Sequence, residues 1–194
     1  MGIQRPRGEL DIIKPEDKER LAKKAYELGY YHEGHERDCS QSTVAALMET
    51  LGFRDASVFK ASTPLGGGGA IYGDCGCGAY YGGLLIIGLL KGRSIDNFVA
   101  EETDRFRSFE IGRALHKKFI DKYGTVICRD IMTRVFGRPF WLVDSDEYNK
   151  MEKAGGHTTA CPDVVGNGAR WTVEVIFEEG LIDELNELRR TFST

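Results

Sequence analysis

Gly66-Gly67-Gly68-Gly69-Ala70-Ile71-Tyr72-Gly73-Asp74-Cys75-Gly76-Cys77-Gly78-Ala79-Tyr80-Tyr81-Gly82-Gly83 holds nine glycines in eighteen positions, and Leu84-Leu85-Ile86-Ile87-Gly88-Leu89-Leu90 follows directly. Glycine at that density gives up too much backbone entropy for a regular element, so the first part must be a loop. From Ala79 to Leu90 apolar residues take over, and the segment reads as a buried helix. The apolar stretch from Gly78 to Leu90 is roughly 13 residues, short of the ~20 that a bilayer-spanning helix requires. Working outward, the rest of the chain follows helical period with few alternating β-branched runs, which predicts an all-α fold: a compact multi-helix bundle interrupted by the glycine-rich loop.

Upstream, Pro15 suits the first turn of a helix whose stripe Leu21, Ala25 and Leu28 should end at Gly29 as a C-cap. A polar linker with His32 and His35 then leads to Asp38, which with Gln41 resembles a capping box for a helix buried through Val44, Ala45, Leu47, Met48 and Leu51 and stopped at Gly52. Downstream, Ser94 is the expected N-cap of a long helix carrying Phe98, Phe109, Phe119 and Tyr123 and ending at Gly124. Thr125 caps a short helix to Gly137, and a helical turn is expected near Glu147 to Ala154. Pro162 opens a helix through Val164, Val165, Trp171 and Val175, and a last helix runs over about 181 to 191. The division expected is an N-terminal helix and linker over 1–35 and a cysteine-containing domain over 36–194. Trp141 and Trp171 are expected to pack, and Glu178, Glu179, Asp183, Glu184, Arg189 and Arg190 to form a solvated helix face.

Composition bounds the function. With 194 residues, 41% apolar and 29% charged and a mean hydropathy of −0.33, the chain reads as a soluble globular domain. Twenty-six Lys and Arg against thirty Asp and Glu give a net charge of −4. That leaves no basic footprint for nucleic acid or anionic lipid, so neither is expected as a partner. The start, MGIQRPRGELDIIKP, lacks an apolar core of signal-peptide length, which sets the expectation of a cytoplasmic protein. Five cysteines, an odd and widely scattered set, fit poorly with a secreted disulfide framework.

The cysteines carry the functional signal. Cys39 follows the cap Asp38, Cys75 and Cys77 follow Asp74, Cys128 lies three residues after Thr125, and Cys161 precedes Pro162. Each falls in or beside the first turn of a helix, where unpaired N–H groups and the macrodipole favour the thiolate. Ordinary core cysteines would instead spread over mid-helix apolar faces. Helix N-termini converging on one place would hold an anionic object through thiolates, and an iron–sulfur cluster is such an object, with glycines letting the backbone approach its sulfides. Zinc is the alternative, although no C-x-x-C knuckle is present. Cys75-Gly76-Cys77 could also act as a redox-thiol pair, because a disulfide between close cysteines is strained and readily reduced. The glycine loop accommodates neither a phosphate-loop pattern nor a dinucleotide fingerprint. His157, four residues before Cys161, is a candidate ligand or proton donor, with an exposed loop histidine the blander reading. His32, His35 and His116 belong to no constellation.

These residues resemble the C_GCAxxG_C_C family of redox-active proteins over roughly residues 36 to 176. The matching blocks are Cys39-Ser40-Gln41, Gly67-Gly68-Gly69, Cys77-Gly78-Ala79-Tyr80-Tyr81-Gly82 with the helix to Gly88-Leu89 and Gly92, Phe119 to Gly124 followed by Cys128, and Cys161-Pro162-Asp163-Val164-Val165 with Trp171. Two departures stand out: Gly78 separates the central cysteine from the alanine, and Cys75 is an additional thiol. The family is similar to the non-haem part of split-Soret cytochrome c, a dimeric helical protein with a small iron–sulfur centre besides its haems. Covalent haem is not expected here, since C-x-x-C-H is absent. The resemblance implies a helical redox or cluster-binding protein, with a homodimer as the expected assembly, passing electrons to a redox partner it does not name. Cys39, Cys77, Cys128 and Cys161 are the expected ligands of a [2Fe–2S] or related cluster, with Gly67, Gly68, Gly69 and Gly78 lining it. Cys75 is the spare thiol. As an enzyme the protein would be an oxidoreductase, and the residues name no substrate.

Overall fold

The computed structural model describes residues 11–101 and 103–192. Among them are nine α-helices: α1 (Lys18–His35), α2 (Cys39–Leu51), α3 (Ala56–Ser62), α4 (Gly78–Lys91), α5 (Thr103–Tyr123), α6 (Cys128–Phe136), α7 (Ser145–Lys153), α8 (Cys161–Glu178) and α9 (Ile182–Thr191). No strand occurs among the described residues, and the only extended pairing is one isolated bridge between Gly76 and Ile127. The expected all-α architecture is the one observed.

Helix α8 is the axis of the bundle. It buries Val164, Val165, Ala169, Thr172, Val173 and Ile176 around nearly its whole circumference, so it must be covered by other helices on every side. Helices α1, α2, α4 and α5 supply that cover through Leu21, Ala25, Val44, Leu47, Ile86, Ile87, Ile111, Leu115 and Phe119, all in one apolar cluster with α8. Burying each large side chain is worth roughly 1.5–3 kcal/mol. Phe119 meets Trp171 edge-on, with ring centroids 5.0 Å apart, which adds to the area effect.

Small residues set the interhelical distances. A Cβ on Gly29 would stand 3.1 Å from the Val165 carbonyl oxygen and 3.3 Å from Ala169 Cβ, so α1 and α8 lie nearly backbone to backbone. This corrects the expected C-cap: Gly29 is a packing residue inside α1, and the helix continues to His35. The linker assigned to His32 and His35 is helical for the same reason.

Other boundaries differ locally. Asp38 caps α2 by accepting from the Ser40 and Gln41 amides, but Gln41 does not close a capping box, because its Nε2 donates to the Phe59 carbonyl. That carbonyl belongs to α3, a short helix the sequence reading passed over; Asp55 caps it at the Ser57 and Val58 amides. Ser94 caps only a 3₁₀ turn over Ile95–Asn97, and the long helix begins at Thr103. Phe98 therefore lies outside it and is exposed, as is Phe109. Trp141 is exposed while Trp171 packs. Arg189, placed on a solvated face, is buried and donates to the Asp11 carbonyl and Asn186 Oδ1. A second, smaller core of Cys128, Met132, Phe140 and Met151 lies under α6 and α7.

Candidate redox site

The glycine loop is ordered by its own backbone. Ala70 donates to the Pro64 carbonyl, Ile71 to Gly66, Gly73 to Gly67 and Cys75 to Gly68. From Gly67 to Ile71 every residue has positive φ, a left-handed turn that costs a β-branched residue such as Ile71 on the order of 1–3 kcal/mol. The loop carbonyls then serve the neighbouring helix: the Cys128 amide donates to Cys75 and the Arg129 amide to Gly73. Two of the orphan donors of α6 are thereby satisfied.

This arrangement brings four cysteines to one place. Cys39 begins α2, Cys77 caps α4, Cys128 begins α6 and Cys161 begins α8. All four line a single cavity of about 260 Å³, and Cys75 is not among its walls. Cys75 is exposed, so the C-x-C pair is split between cavity and surface; the thiol within hydrogen-bonding reach of Cys77 is Cys39. Glycines lie directly behind the sulfurs. A Cβ on Gly78 would stand 2.4 Å from Cys39 Sγ, and one on Gly68 2.6 Å from Cys128 Cβ. The Gly67 amide donates to Cys39 Sγ at 3.4 Å. A Cβ on Gly69 would instead stand 3.4 Å from Cys75 Sγ.

The electrostatics differ from the expectation of lowered thiol pKa values. Cys39 is held well above its usual range by its hydrogen bond with Cys77 and by burial. Burial likewise pushes up Cys128 and Cys161. The helix N-termini do not overcome this, because their donors are taken elsewhere: Asp38 accepts two at α2, and the glycine loop accepts two at α6. Cys39, Cys128 and Cys161 are therefore neutral thiols without metal, and thiolate ligation by them would release protons.

Two polar residues escaped the sequence reading or were misjudged by it. Glu33 lies on the buried face of α1, 2% exposed, and lines the cavity. Had α1 been continued past Gly29, the i, i+4 series Leu21, Ala25, Gly29, Glu33 would have revealed it. His157 is not an exposed loop residue: its side chain is 12% exposed, its Nε2 is 3.7 Å from Glu33 Oε1, and its Nδ1 bonds to Glu152 Oε1. Arg37, Asp38, Thr63 and Tyr148 add polar groups to the lining, and Ile131, Met132, Phe136, Leu142 and Met151 give it an apolar side.

The donor set is all sulfur, the soft chemistry that suits iron–sulfur centres, copper(I) or zinc. Among the described residues no three His, Cys, Asp or Glu side chains converge closely enough to hold a single ion.

An all-α bundle whose cysteines line one cavity is an arrangement suited to redox-active proteins. Within it, residues 37–175 match the family model described as putative redox-active protein (C_GCAxxG_C_C), and the chain belongs to that family. No curated protein and no solved structure matches the chain. No helix among the described residues is long and apolar enough to cross a membrane.

Proposed function

We propose that the protein is an electron-transfer protein whose Cys39, Cys77, Cys128 and Cys161 thiolates hold an iron–sulfur cluster, of [2Fe–2S] or related type. The observation that carries this reading is the meeting of four cysteines, from four separate helix starts, on one cavity that no side chain fills. Inert cysteines have no reason to gather at a void, since packing normally leaves few spaces larger than a water molecule. The odd number of thiols favours a reducing, cytoplasmic setting.

When bound, the cluster supplies one-electron storage. The protein's own groups do the rest. Gly67 donates its N–H to Cys39 Sγ, a bond that strengthens as the sulfur gains negative charge. The apolar side of the lining, with Ile131, Met132, Phe136 and Met151, lowers the local dielectric and so strengthens charge interactions at the sulfurs. The glycines at 68 and 78 leave room at the cysteine side chains that a Cβ would occupy.

The test is iron, acid-labile sulfide and zinc content of protein purified without oxygen, with visible spectra before and after dithionite. Matching iron and sulfide with a bleachable spectrum is expected, lost in Cys39→Ser and Cys161→Ser and retained in Cys75→Ser. A colourless zinc protein overturns the reading. A second reading, a metal-free dithiol that cycles through a disulfide, is favoured by the Cys39–Cys77 hydrogen bond. It predicts no metal and a two-electron change that alkylation assigns to those two residues.

A further inference from the structure

Among the described residues Glu33 is the one buried carboxyl that lines the cysteine cavity, and no Lys or Arg side chain pairs with it. Its Oε2 has no hydrogen-bond partner, and no hydrogen bond joins the carboxyl to any of the sulfurs. An ionised carboxylate so placed costs several kcal/mol unless paired. Behind it runs a row of exchangeable groups leading outward. His157 Nε2 lies 3.7 Å from Glu33 Oε1, and His157 Nδ1 bonds to Glu152 Oε1. Glu152 is 3.2 Å from Arg37 Nη1, which also donates to the Tyr148 hydroxyl at 3.0 Å. The Arg37 side chain is half exposed, so the row ends at solvent.

We propose that Glu33, backed by His157 and Glu152, is the proton port of the cysteine cavity: each electron the centre gains is matched by one proton taken from solvent onto the Glu33 carboxylate, and each electron lost returns it. The inference rests on the cluster reading of the cavity. The electron comes from a one-electron reductant, such as a reduced flavin or a second iron–sulfur protein. The proton comes from water, one O–H bond forms at Glu33, and the cavity gains no net charge. The physical reason is the low dielectric, in which an added electron among thiolates is costly unless a positive charge follows it.

The groups facing Glu33 from the packed elements are consistent with this role. Arg37 lies on its own helix, Asp38 and Ser42 lie at the start of α2, and Glu152 and Tyr148 on α7. His157 lies in the turn before α8, with Cys39, Cys128 and Cys161 across the cavity. Burial pushes the Glu33 carboxyl up to about 8, with Asp38 and Glu152 adding to the rise, against the Ser42 hydroxyl and the Arg37 charge. Glu152 behaves oppositely: although burial raises it, hydrogen bonds from His157 and Tyr148 and the Arg37 charge hold it below its usual range. A proton acceptor that titrates near neutrality therefore stands in front of an ionised carboxylate that orients the imidazole.

The experiment is a spectroelectrochemical titration of cluster-loaded protein from neutral to alkaline pH, with iron and sulfide measured on every sample. Above about pH 8, where Glu33 starts out ionised, wild type should show a tenfold change in the redox equilibrium per pH unit, about 59 mV for one electron, flattening toward neutral pH. In Glu33→Gln the slope should vanish at unchanged iron content, and in Glu33→Asp it should persist. A carboxyl C=O infrared band should grow on reduction in wild type, shift in deuterium oxide and be missing from Glu33→Gln. His157→Gln should keep the slope, since the acceptor remains, and slow reduction. A pH-independent wild-type potential, or a slope surviving in Glu33→Gln, overturns the port while leaving the cluster reading intact. Protein that takes up no iron fails the cluster reading itself.

Discussion

Cys39, Cys77 and Cys161 start or cap helices whose apolar faces belong to the main core. Cys128 starts α6, whose buried Met132 joins Phe140 and Met151 in a separate small cluster. The first wall of the cavity is thus held by the same packing that holds the whole fold. The second sends only Ile131 into that core and is otherwise held by four buried residues, by the backbone bonds from Cys128 and Arg129 to the glycine loop, and by polar links such as Arg37–Glu152. Local opening free energies follow the amount of buried apolar contact, so the α6–α7 wall is the one that opens first. On the proposed cluster reading, it is the expected route for metal to the sulfurs.

The largest effect is expected where the main wall leaves no room. Gly78→Ala would put a methyl group 2.4 Å from Cys39 Sγ and 2.6 Å from the Ser40 amide nitrogen. Overpacking of this kind costs about 3 kcal/mol, and the cysteine displaced is one of the proposed ligands. Gly137, at the end of α6, has a positive φ, which Gly78 does not, but a Cβ there would meet nothing within 4 Å. Gly137→Ala should cost only the left-handed backbone penalty, about 1 kcal/mol, with iron content unchanged. Urea denaturation followed by circular dichroism separates the two, and equal costs would erase the difference between the walls.

The sequence showed the main wall more clearly than the second, and the reasons are local. Helix period, Asp38 as cap and Pro162 in a first turn are short-range signals, and they placed Cys39 and Cys161 at helix starts. Gly29 misled because a helix-ending glycine and a helix-packing glycine are the same residue; only the partner backbone of α8 distinguishes them. Ending α1 there removed Glu33 from its buried face, so the carboxyl at the cavity went unseen. Ser94 misled in the same way, since it caps a turn rather than the long helix. The α6–α7 wall is least legible, because its cohesion comes from loop carbonyls and a handful of side chains brought together from distant positions. That His157 lies against Glu33 depends on a tertiary contact no spacing encodes.

A smaller, pH-dependent effect is expected from Glu33. Its carboxyl ionises at 4.5 ordinarily and near 8 when folded, so between those values the native state holds a proton that the unfolded chain has lost. Stability must therefore fall as pH rises through that window. Glu33→Gln removes this dependence and should make the metal-free protein more stable than wild type at alkaline pH, by a few kcal/mol at most, with little difference near pH 4. Thermal unfolding at a series of pH values checks it. A wild type whose stability rises across the window would mean that Glu33 ionises freely, and the main wall would then tolerate a charge that its packing gives no partner.

The finest test compares the polar side chains that begin each wall. Asp38 accepts from Ser40 and Gln41 at the start of α2, and Thr125 Oγ1 accepts from the Ile127 amide just before α6. Removing a cap costs about 1 kcal/mol, and Asp38→Ala adds about 1 kcal/mol more because Asp38 has a left-handed φ of 62°. Its whole cost should appear in the main unfolding transition, since α2 cannot loosen without the core. Thr125→Ala should leave that transition where it is and instead speed alkylation of Cys128 relative to Cys77 by several-fold at low urea, about 1 kcal/mol expressed as a local opening. If both substitutions shift the main transition and Cys128 stays as protected as Cys77, the two walls fold as one unit. Metal would then have to enter by a route that leaves α6 in place.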